Sequence, residues 1–232
     1  MAKKNFSERI LVGITGFRDR DWKSKLEEIN EFKLTKVSLF LERFKEKQRR
    51  KIYPALLDSK IKHIPLVHIR HDMDKKELTF LAKNFGSSYF TIHEDSFRIM
   101  KKWKGFYKDL YLEMNYDGFV PKSVEVARIG GFCVDLSHFK ASATEWSDDF
   151  DYIFERRETS HYFDCNHVNG YDPEKNSDMH IVKSLKNFNY LKTLPKFLFG
   201  DIISIEVDNS IADQLRFKEY LVKLLNKKFS KK

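Results

Sequence analysis

Short runs of apolar and β-branched residues recur at regular intervals along the whole chain. Eight such runs stand apart, and each has the composition of a largely buried β-strand. They cover residues 9–16, 36–42, 63–71, 89–95, 110–117, 130–139, 161–170 and 201–209. The pattern therefore predicts eight strands distributed over the full length of the chain.

Segments with helical periodicity separate most of these strands. The period is clearest in residues 21–32, 75–85 and 121–129, and a long amphipathic segment at 212–229 follows the last strand. The longest connection, 140–160, is expected to carry one helix. Strands that alternate with helices predict a parallel sheet with helices outside it, and eight such units favour a closed (β/α)8 TIM barrel.

An open doubly wound sheet is the alternative fold. That fold places a glycine-rich GxGxxG loop after its first strand, whereas this chain has VGITGFRD at residues 12–19. The barrel is therefore the preferred prediction. No linker or low-complexity tract interrupts the pattern, so we expect a single domain spanning residues 1–232.

Composition narrows the class of protein. The chain has 232 residues, of which 41% are hydrophobic, enough for one sizeable core. No apolar stretch reaches the roughly 18 residues of a membrane span, and the N-terminus lacks the pattern of a signal peptide. We expect a cytoplasmic protein without a membrane partner. Cys133 and Cys165 lie in apolar runs and are expected to pack in the core.

The charge balance favours anionic partners. Lysine and arginine outnumber aspartate and glutamate by 43 to 34, giving a formal net charge of +9. This favours an anionic small molecule or a phosphoester as substrate, and it is compatible with nucleic acid. Much of the excess lies in residues 43–51 and 224–232, where a solvated lysine face is the alternative interpretation.

Polar residues, most of them of metal-binding types, stand where the predicted strands end. In a (β/α)8 barrel the chemistry is performed at the carboxyl ends of the strands. From the third strand to the eighth, these residues are His68, Arg70, His71, His93, Glu94, Glu113, Asn115, Asp135, His138, His167, Asp178, His180 and Glu206. Burying several carboxylates and imidazoles together is costly unless a cation pairs them. The set therefore predicts a divalent metal site.

Two short spacings support this prediction. Asp135 and His138 are placed so that the first leaves the strand tip and the second leaves the following loop, and both can face one ion. Asp178 and His180 share one side of an extended segment. Mixed imidazole and carboxylate donors suit Zn²⁺, with Mn²⁺, iron or Mg²⁺ as alternatives. A set of this size is expected to hold two or three ions.

The order of these residues resembles a known superfamily. A Glu on the fifth strand, Asp-x-x-His on the sixth, His on the seventh and Glu on the eighth are here Glu113, Asp135, His138, His167 and Glu206. This order resembles the xylose isomerase-like TIM-barrel superfamily, which includes sugar isomerases, sugar epimerases and endonuclease IV. The resemblance spans nearly the whole chain and implies a metal-dependent enzyme.

Four further positions are similar to the additional ligands of endonuclease IV. That enzyme has a His after strand three, a His after strand four and an Asp-x-His after strand seven. By position these correspond to His68, His93, Asp178 and His180. The resemblance implies a trinuclear zinc set. His71 is an alternative to His68, although strand alternation favours His68.

Three functions follow from this set. The first is phosphoester hydrolysis like that of endonuclease IV, with Glu113 and Glu206 catalytic and Arg70, His71 and Lys140 contacting the substrate. The second is sugar or sugar-phosphate isomerisation or epimerisation, with Glu113 and Glu206 as the acid–base pair. The third is a degenerate, non-catalytic barrel. Hydrolysis ranks first on sequence grounds because isomerisation does not need so many imidazoles.

Overall fold

A computed structural model describes residues 5–230 of the chain. The strands are β1 (Ile10–Leu11), β2 (Gly13–Ile14), β3 (Ser38–Phe40), β4 (Leu66–His68), β5 (Tyr89–His93), β6 (Leu110–Glu113), β7 (Gly131–Asp135), β8 (Phe163–Val168), β9 (Gly170–Asp172), β10 (Ser177–Met179) and β11 (Ile202–Ile205). The α-helices are α1 (Phe6–Arg9), α2 (Asp19–Glu31), α3 (Glu46–Leu57), α4 (Lys75–Phe85), α5 (Leu136–Glu145), α6 (Asp148–Phe154) and α7 (Ile211–Ser230).

Short 3-10 helices fill several of the connections. They are Glu94–Arg98, Met100–Trp103, Tyr107–Asp109, Val126–Arg128, Ser160–Tyr162, Leu185–Lys192 and Lys196–Leu198. Within residues 5–230, no helix combines the length and the apolar character needed to cross a membrane.

Nine of the strands form one parallel sheet that nearly closes on itself. Their order is β1-β11-β8-β7-β6-β5-β4-β3-β2. The two end strands, β1 and β2, are separated in the chain by Val12 alone, so together they act as one strand of an eight-stranded barrel. The predicted (β/α)8 fold is confirmed, and each of the eight predicted strand segments contains an observed strand of this sheet.

Gly13 marks the place where the barrel closes. A Cβ added to Gly13 would lie 2.3 Å from the carbonyl oxygen of Ile205, a distance that no side chain tolerates. The amide of Gln214, on α7, pairs with the same residue: Gly13 N donates to Oε1 (2.7 Å), and Nε2 donates to Gly13 O (3.0 Å). This side chain therefore satisfies backbone groups at the break between β1 and β2.

The inside of the barrel is apolar at one level and polar at the next. Six residues from six strands form an apolar layer: Leu11, Leu66, Tyr111, Cys133, Cys165 and Ile202. Two positions further along four of these strands come His68, Glu113, Asp135 and His167. Because side chains of a strand alternate between its faces, a spacing of two keeps both layers inside the barrel. The polar cluster thus stands on an apolar floor, and the two cysteines are buried free thiols, as predicted.

Two predictions about the connections are wrong. Residues 121–129 do not form an α-helix but a turn followed by the 3-10 helix Val126–Arg128. The segment begins at Pro121, and its apolar positions Val124, Val126 and Ile129 are buried without a helical face. The connection that includes 140–160 carries two α-helices, α5 and α6, instead of one, because Trp146 adopts a left-handed conformation (φ 55°) that ends α5.

The other helical segments agree with the sequence pattern. Helix α2 covers most of 21–32, α4 coincides with 75–85, and α7 includes 212–229. Asp74 begins α4 by accepting hydrogen bonds from two backbone N–H groups, and Gly86 ends it in a left-handed conformation. These local signals explain why the bounds of α4 could be read from the sequence.

Candidate metal centre

Four buried side chains converge at the carboxyl ends of neighbouring strands. Glu113 ends β6, Asp135 ends β7, His167 lies near the end of β8, and Glu206 directly follows β11. Each offers a ligand atom, and all four atoms lie within 4.8 Å of one another. Three oxygen donors and one nitrogen donor at this spacing can hold one divalent cation.

The imidazole of His167 lies at the centre of this group. Its Nδ1 is 3.0 Å from Glu113 Oε2 and 3.1 Å from Glu206 Oε2. Its Nε2 lies 3.4 Å from Thr91 Oγ1, on β5. One ring nitrogen therefore faces the carboxylates, and the other faces a hydroxyl group.

Two further groups overlap the first. His68, His93 and Glu113 form one, and His68, His167 and Glu206 form the other. His68 Nδ1 is 3.4 Å from Glu113 Oε2, and the His68 and His93 rings have centroids 4.8 Å apart. The structure thus brings six of the nine predicted ligands into groups with metal-binding spacing.

Several buried polar atoms of the cluster make no hydrogen bond within residues 5–230. They are both ring nitrogens of His68 and Nδ1 of His93. Buried polar atoms left in this way are costly, and a cation among them removes the cost. The donor set therefore fits a divalent metal ion.

The charges of the cluster lead to the same conclusion. Burial raises the pKa of Glu113, but the positive charge of His167 outweighs it and holds that pKa well below its usual value. Burial opposes charge on His68 and lowers its pKa to about 3. Ionised carboxylates and a neutral imidazole are the protonation states that bind metals.

His167 differs from His68 in its pKa. Burial lowers it, but Cys133 and the carboxylates of Glu113 and Glu206 raise it well above the ordinary value. Without a metal, the proton on His167 is the positive charge that pairs the carboxylates. Metal binding at Nδ1 would displace this proton.

Asp135 also begins helix α5. Its Oδ1 accepts hydrogen bonds from the backbone N–H groups of Ser137 and His138, and its Oδ2 accepts one from Asn169 Nδ2 at 2.7 Å. His138 therefore lies in the first turn of α5, and the prediction that it leaves a loop is wrong. Its ring remains near the centre, with Nδ1 3.7 Å from Glu113 Oε1.

Asp178 and His180 form a pair at the rim of the cluster. His180 Nε2 is 3.0 Å from Asp178 Oδ2, and its Nδ1 is 3.2 Å from the backbone oxygen of Glu206. Tyr116 donates its hydroxyl to Asp178 Oδ1 at 2.7 Å. Burial opposes protonation of His180, but Asp178 outweighs it and raises the pKa to about 9.

A polar cavity of 430 Å³ opens beside His93. Its lining consists of Glu42, Ile69, Arg70, His71, His93, Asp95, Ser96 and Asn115. Arg70 donates Nη1 to the backbone oxygen of Glu42 (3.2 Å), and its Nε is 3.3 Å from Asp72 Oδ2. Two of the three predicted substrate contacts, Arg70 and His71, thus line one cavity next to the metal-binding cluster.

Lys140 lies apart from that cavity. It is on α5 two residues after His138, which turns it about 200° around the helix axis from His138. Its role as a substrate contact stays a prediction.

Sequence reasoning missed four residues of the site. Glu42 follows β3 at a strand end, the same signal that identified the others, and its Oε2 is 3.8 Å from His68 Nδ1. Burial, with the charge of Glu206 second, raises the pKa of Glu42 to about 8. Thr91, Tyr116 and Asn169 are ordinary polar residues, and only their tertiary contacts single them out.

Comparison with known proteins supports the fold. No family model and no curated protein matches the chain. Among solved structures, a D-tagatose 3-epimerase-like protein matches with a TM-score of 0.58 and 16% sequence identity, over 95% of this chain and 99% of the other. The two proteins share the barrel along nearly their full lengths. The TIM-barrel fold expected from the sequence is thereby confirmed.

Proposed function

We propose that this chain is a divalent-metal-dependent sugar epimerase or isomerase acting on a ketose or a ketose phosphate. The observation that carries the proposal is the four-donor group, in which Glu113 and Glu206 both lie about 3 Å from the same nitrogen of His167. The barrel shared with a D-tagatose 3-epimerase-like protein supports this class over hydrolysis, which ranked first on sequence grounds.

Glu113, Asp135, His167 and Glu206 would hold the ion. A divalent ion bound there supplies Lewis acidity toward the carbonyl and hydroxyl oxygens of the substrate. Glu113 and Glu206 come from strands β6 and β11, which lie three places apart in the barrel. They can therefore approach a substrate carbon from two sides.

The carboxylates perform the proton transfer. Although burial opposes it, His167 lowers the pKa of both Glu113 and Glu206, so both are ionised at neutral pH. One carboxylate accepts the proton from the carbon next to the carbonyl. The other takes a proton from solvent and delivers it to the opposite face of that carbon, and the first then releases its proton to solvent. This exchange inverts the configuration at that carbon.

The neighbouring cavity suits a polyhydroxylated substrate. Arg70 and His71 offer hydrogen-bond donors in its lining, Asp95 offers acceptors, and the amide of Asn115 offers both. Hydroxyl groups both donate and accept hydrogen bonds, so a mixed lining of this kind satisfies them. The guanidinium of Arg70 also allows a phosphate at the far end of the substrate.

The test is exchange of solvent protons into a substrate. The protein is incubated in D2O with Mn²⁺ and a panel of ketohexoses and their phosphates, and deuterium at the carbon beside the carbonyl is followed by NMR. We expect exchange and an epimer or aldose product, both abolished in Glu113→Gln. Exchange at the wild-type rate in Glu113→Gln would rule out Glu113 as the base.

Phosphoester hydrolysis is the second candidate function. The observation that favours it is the additional donor group of His68, His93 and Glu113, which a single-ion epimerase does not need. Two or three bound ions could activate a water and stabilise a leaving oxygen. Metal content per chain and turnover of a phosphodiester separate the two candidates, because the epimerase requires one ion and no phosphodiesterase activity.

A further inference from the structure

A groove at the opposite end of the barrel is lined by five lysines. The groove has a volume of 650 Å³, and its lining consists of Lys192, Lys196, Tyr220, Lys223, Leu224, Lys227 and Lys228. No acidic residue belongs to this described lining. A concavity lined by charge of one sign raises the local concentration of counter-ions, here anions.

The position of the groove separates it from the metal centre. Helix α7 begins at Ile211, close to Glu206, and runs back along the barrel. Near its end, Lys228 contacts the backbone oxygens of Lys192 and Leu194, which precede β11 in the chain. From Ile211 to Lys227 the helix rises by about 24 Å. The groove therefore lies at the amino-terminal face of the barrel and is independent of the proposed catalytic site.

Lys228 is held in place at the edge of the groove. Its ammonium donates to the backbone oxygens of Lys192 (2.9 Å) and Leu194 (2.5 Å), which uses two of its three N–H donors. Burial, with the nearby charge of Lys196 second, lowers the pKa of Lys228. Cations fixed beside one another in this way are stabilised by an anion bound between them.

Lys223 and Lys227 provide a second, exposed row of charge. They are four residues apart on α7 and therefore lie one helical turn apart on the same face. On α7 these two lysines lie on one side of Tyr220 and Leu224 and Lys228 lies on the other, so a chain of phosphates can contact more of the lysines than a single phosphate can. Between the rows, Tyr220 and Leu224 contribute an apolar floor on which a flat ring can pack.

We propose that this groove binds a small ligand that carries a chain of phosphates, such as a nucleoside triphosphate or an inorganic polyphosphate. The lysines of α7 and of residues 192–196 bind the phosphates, and the Tyr220 and Leu224 surface accepts a base when one is present. The size of the groove and its concave form favour such a ligand over a flat polyanionic surface.

The test is calorimetric titration of metal-free protein with sodium tripolyphosphate at about 50 mM NaCl, where exposed charges are only partly screened. We expect saturable binding that weakens at least tenfold in Lys223→Ala/Lys227→Ala. The control Lys76→Ala/Lys83→Ala removes the same charge from exposed positions on α4 and should bind like the wild type. Equal affinity in the two double variants, or no binding to the wild type, would overturn the proposal.

Titrations with other ligands identify the source of the phosphates. Tighter binding of ATP than of tripolyphosphate, with the surplus lost in Tyr220→Ala, identifies a nucleotide. Equal affinity for both identifies an inorganic phosphate chain. Binding of a short single-stranded RNA without binding of either small ligand overturns the proposal in favour of a nucleic-acid surface. Thermal melting of each variant verifies that the fold is intact.

Discussion

His167 presents its two ring nitrogens to different surroundings, and this difference decides how it can bind a metal. Nδ1 faces Glu113 and Glu206, while Nε2 faces the hydroxyl of Thr91 at 3.4 Å. A metal-binding imidazole usually donates its second N–H to a fixed acceptor, which selects the tautomer and the ring orientation. Thr91 is fully buried and is placed to be that acceptor.

Replacing Thr91 by valine should weaken metal binding. The valine keeps the shape of the side chain but removes the acceptor, so the tautomer with a free Nδ1 lone pair loses its support. We expect an affinity lower by about tenfold or more, measured by competition with a chromophoric chelator. Thr91→Ser retains the hydroxyl and should bind metal nearly as the wild type does. Equal affinity in the valine and serine variants would contradict this role.

The Asp178–His180 pair should make stability depend on pH. The pKa of His180 is raised to about 9, so its contribution is complete below its unfolded pKa of 6.5 and is lost as pH rises through 9. The pKa of Asp178 is lowered, so its contribution is present above its unfolded pKa of 3.8 and is lost in acid. The pair is therefore fully stabilising between these two unfolded values.

Asp178→Asn tests this dependence in metal-free protein. The variant should lose about 2 kcal/mol of unfolding free energy near pH 6, the contribution of a hydrogen bond between charged groups. The difference from the wild type should shrink by pH 10. Urea unfolding at several pH values measures it, and an NMR titration should show the His180 pKa moving down toward 6.5. A pH-independent difference would exclude the ion pair as the cause.

At the scale of elements, the barrel depends on contacts that join its first and last segments. Arg9, at the end of α1, is 2% exposed and donates to the backbone oxygens of Phe199 and Gly200, just before β11. Gln214, on α7, pairs with both backbone groups of Gly13. Helices at the two ends of the described chain thus stabilise the place where β1 and β2 lie beside β11. We call this place the seam of the barrel.

Gln214→Leu should destabilise this seam. The leucine fills the space but leaves the Gly13 N–H and C=O buried without partners, and each such group costs about 1–3 kcal/mol. We expect a loss of about 3 kcal/mol in urea unfolding, with the secondary structure retained. Gln214→Glu keeps the acceptor for Gly13 N–H but, when ionised, turns a carboxylate oxygen toward the backbone oxygens of Gly13, Val207 and Asn209, so its stability should fall as pH rises. A loss under 1 kcal/mol in the leucine variant would show that the seam does not depend on this amide.

How well an element could be read from the sequence depended on whether its signals were local. The bounds of α4 follow from Asp74 and Gly86, which act within one turn of the helix. The break between α5 and α6 depends on the left-handed conformation of Trp146. Tryptophan is not a typical helix-ending residue, so the sequence did not indicate this break. Residues 121–129 have an apolar spacing that suggests a helix but is used by an irregular segment packed against the core.

At the scale of the whole molecule, the metal should couple the strands of the barrel. The proposed ligands come from β6, β7, β8 and the end of β11, so an ion bound among them ties distant parts of the chain together. An ion at one hundred times its dissociation constant stabilises the folded state by about 2.7 kcal/mol. Adding Mn²⁺ or Zn²⁺ to chelator-treated protein should therefore raise the melting temperature.

Elemental analysis of the same samples gives the number of ions per chain. One ion per chain agrees with the epimerase proposal, and two or three agree with the hydrolase. Glu206→Gln should abolish most of the metal-induced rise in melting temperature while leaving that of the metal-free protein within a few degrees. An unchanged rise in this variant would exclude Glu206 as a ligand.

The sequence alone determined the barrel and the identity of most of its polar strand ends. Strand alternation and the regular spacing of strands and helices are local patterns, so they can be recognised without knowledge of tertiary contacts. Only the tertiary structure decided which of those side chains meet. It placed His68, His93, Glu113, Asp135, His167 and Glu206 in overlapping groups, set Asp178 and His180 at the rim, and added Glu42 and Thr91. The physical reason is that distances between residues far apart in the chain depend on how the strands register and how the barrel closes.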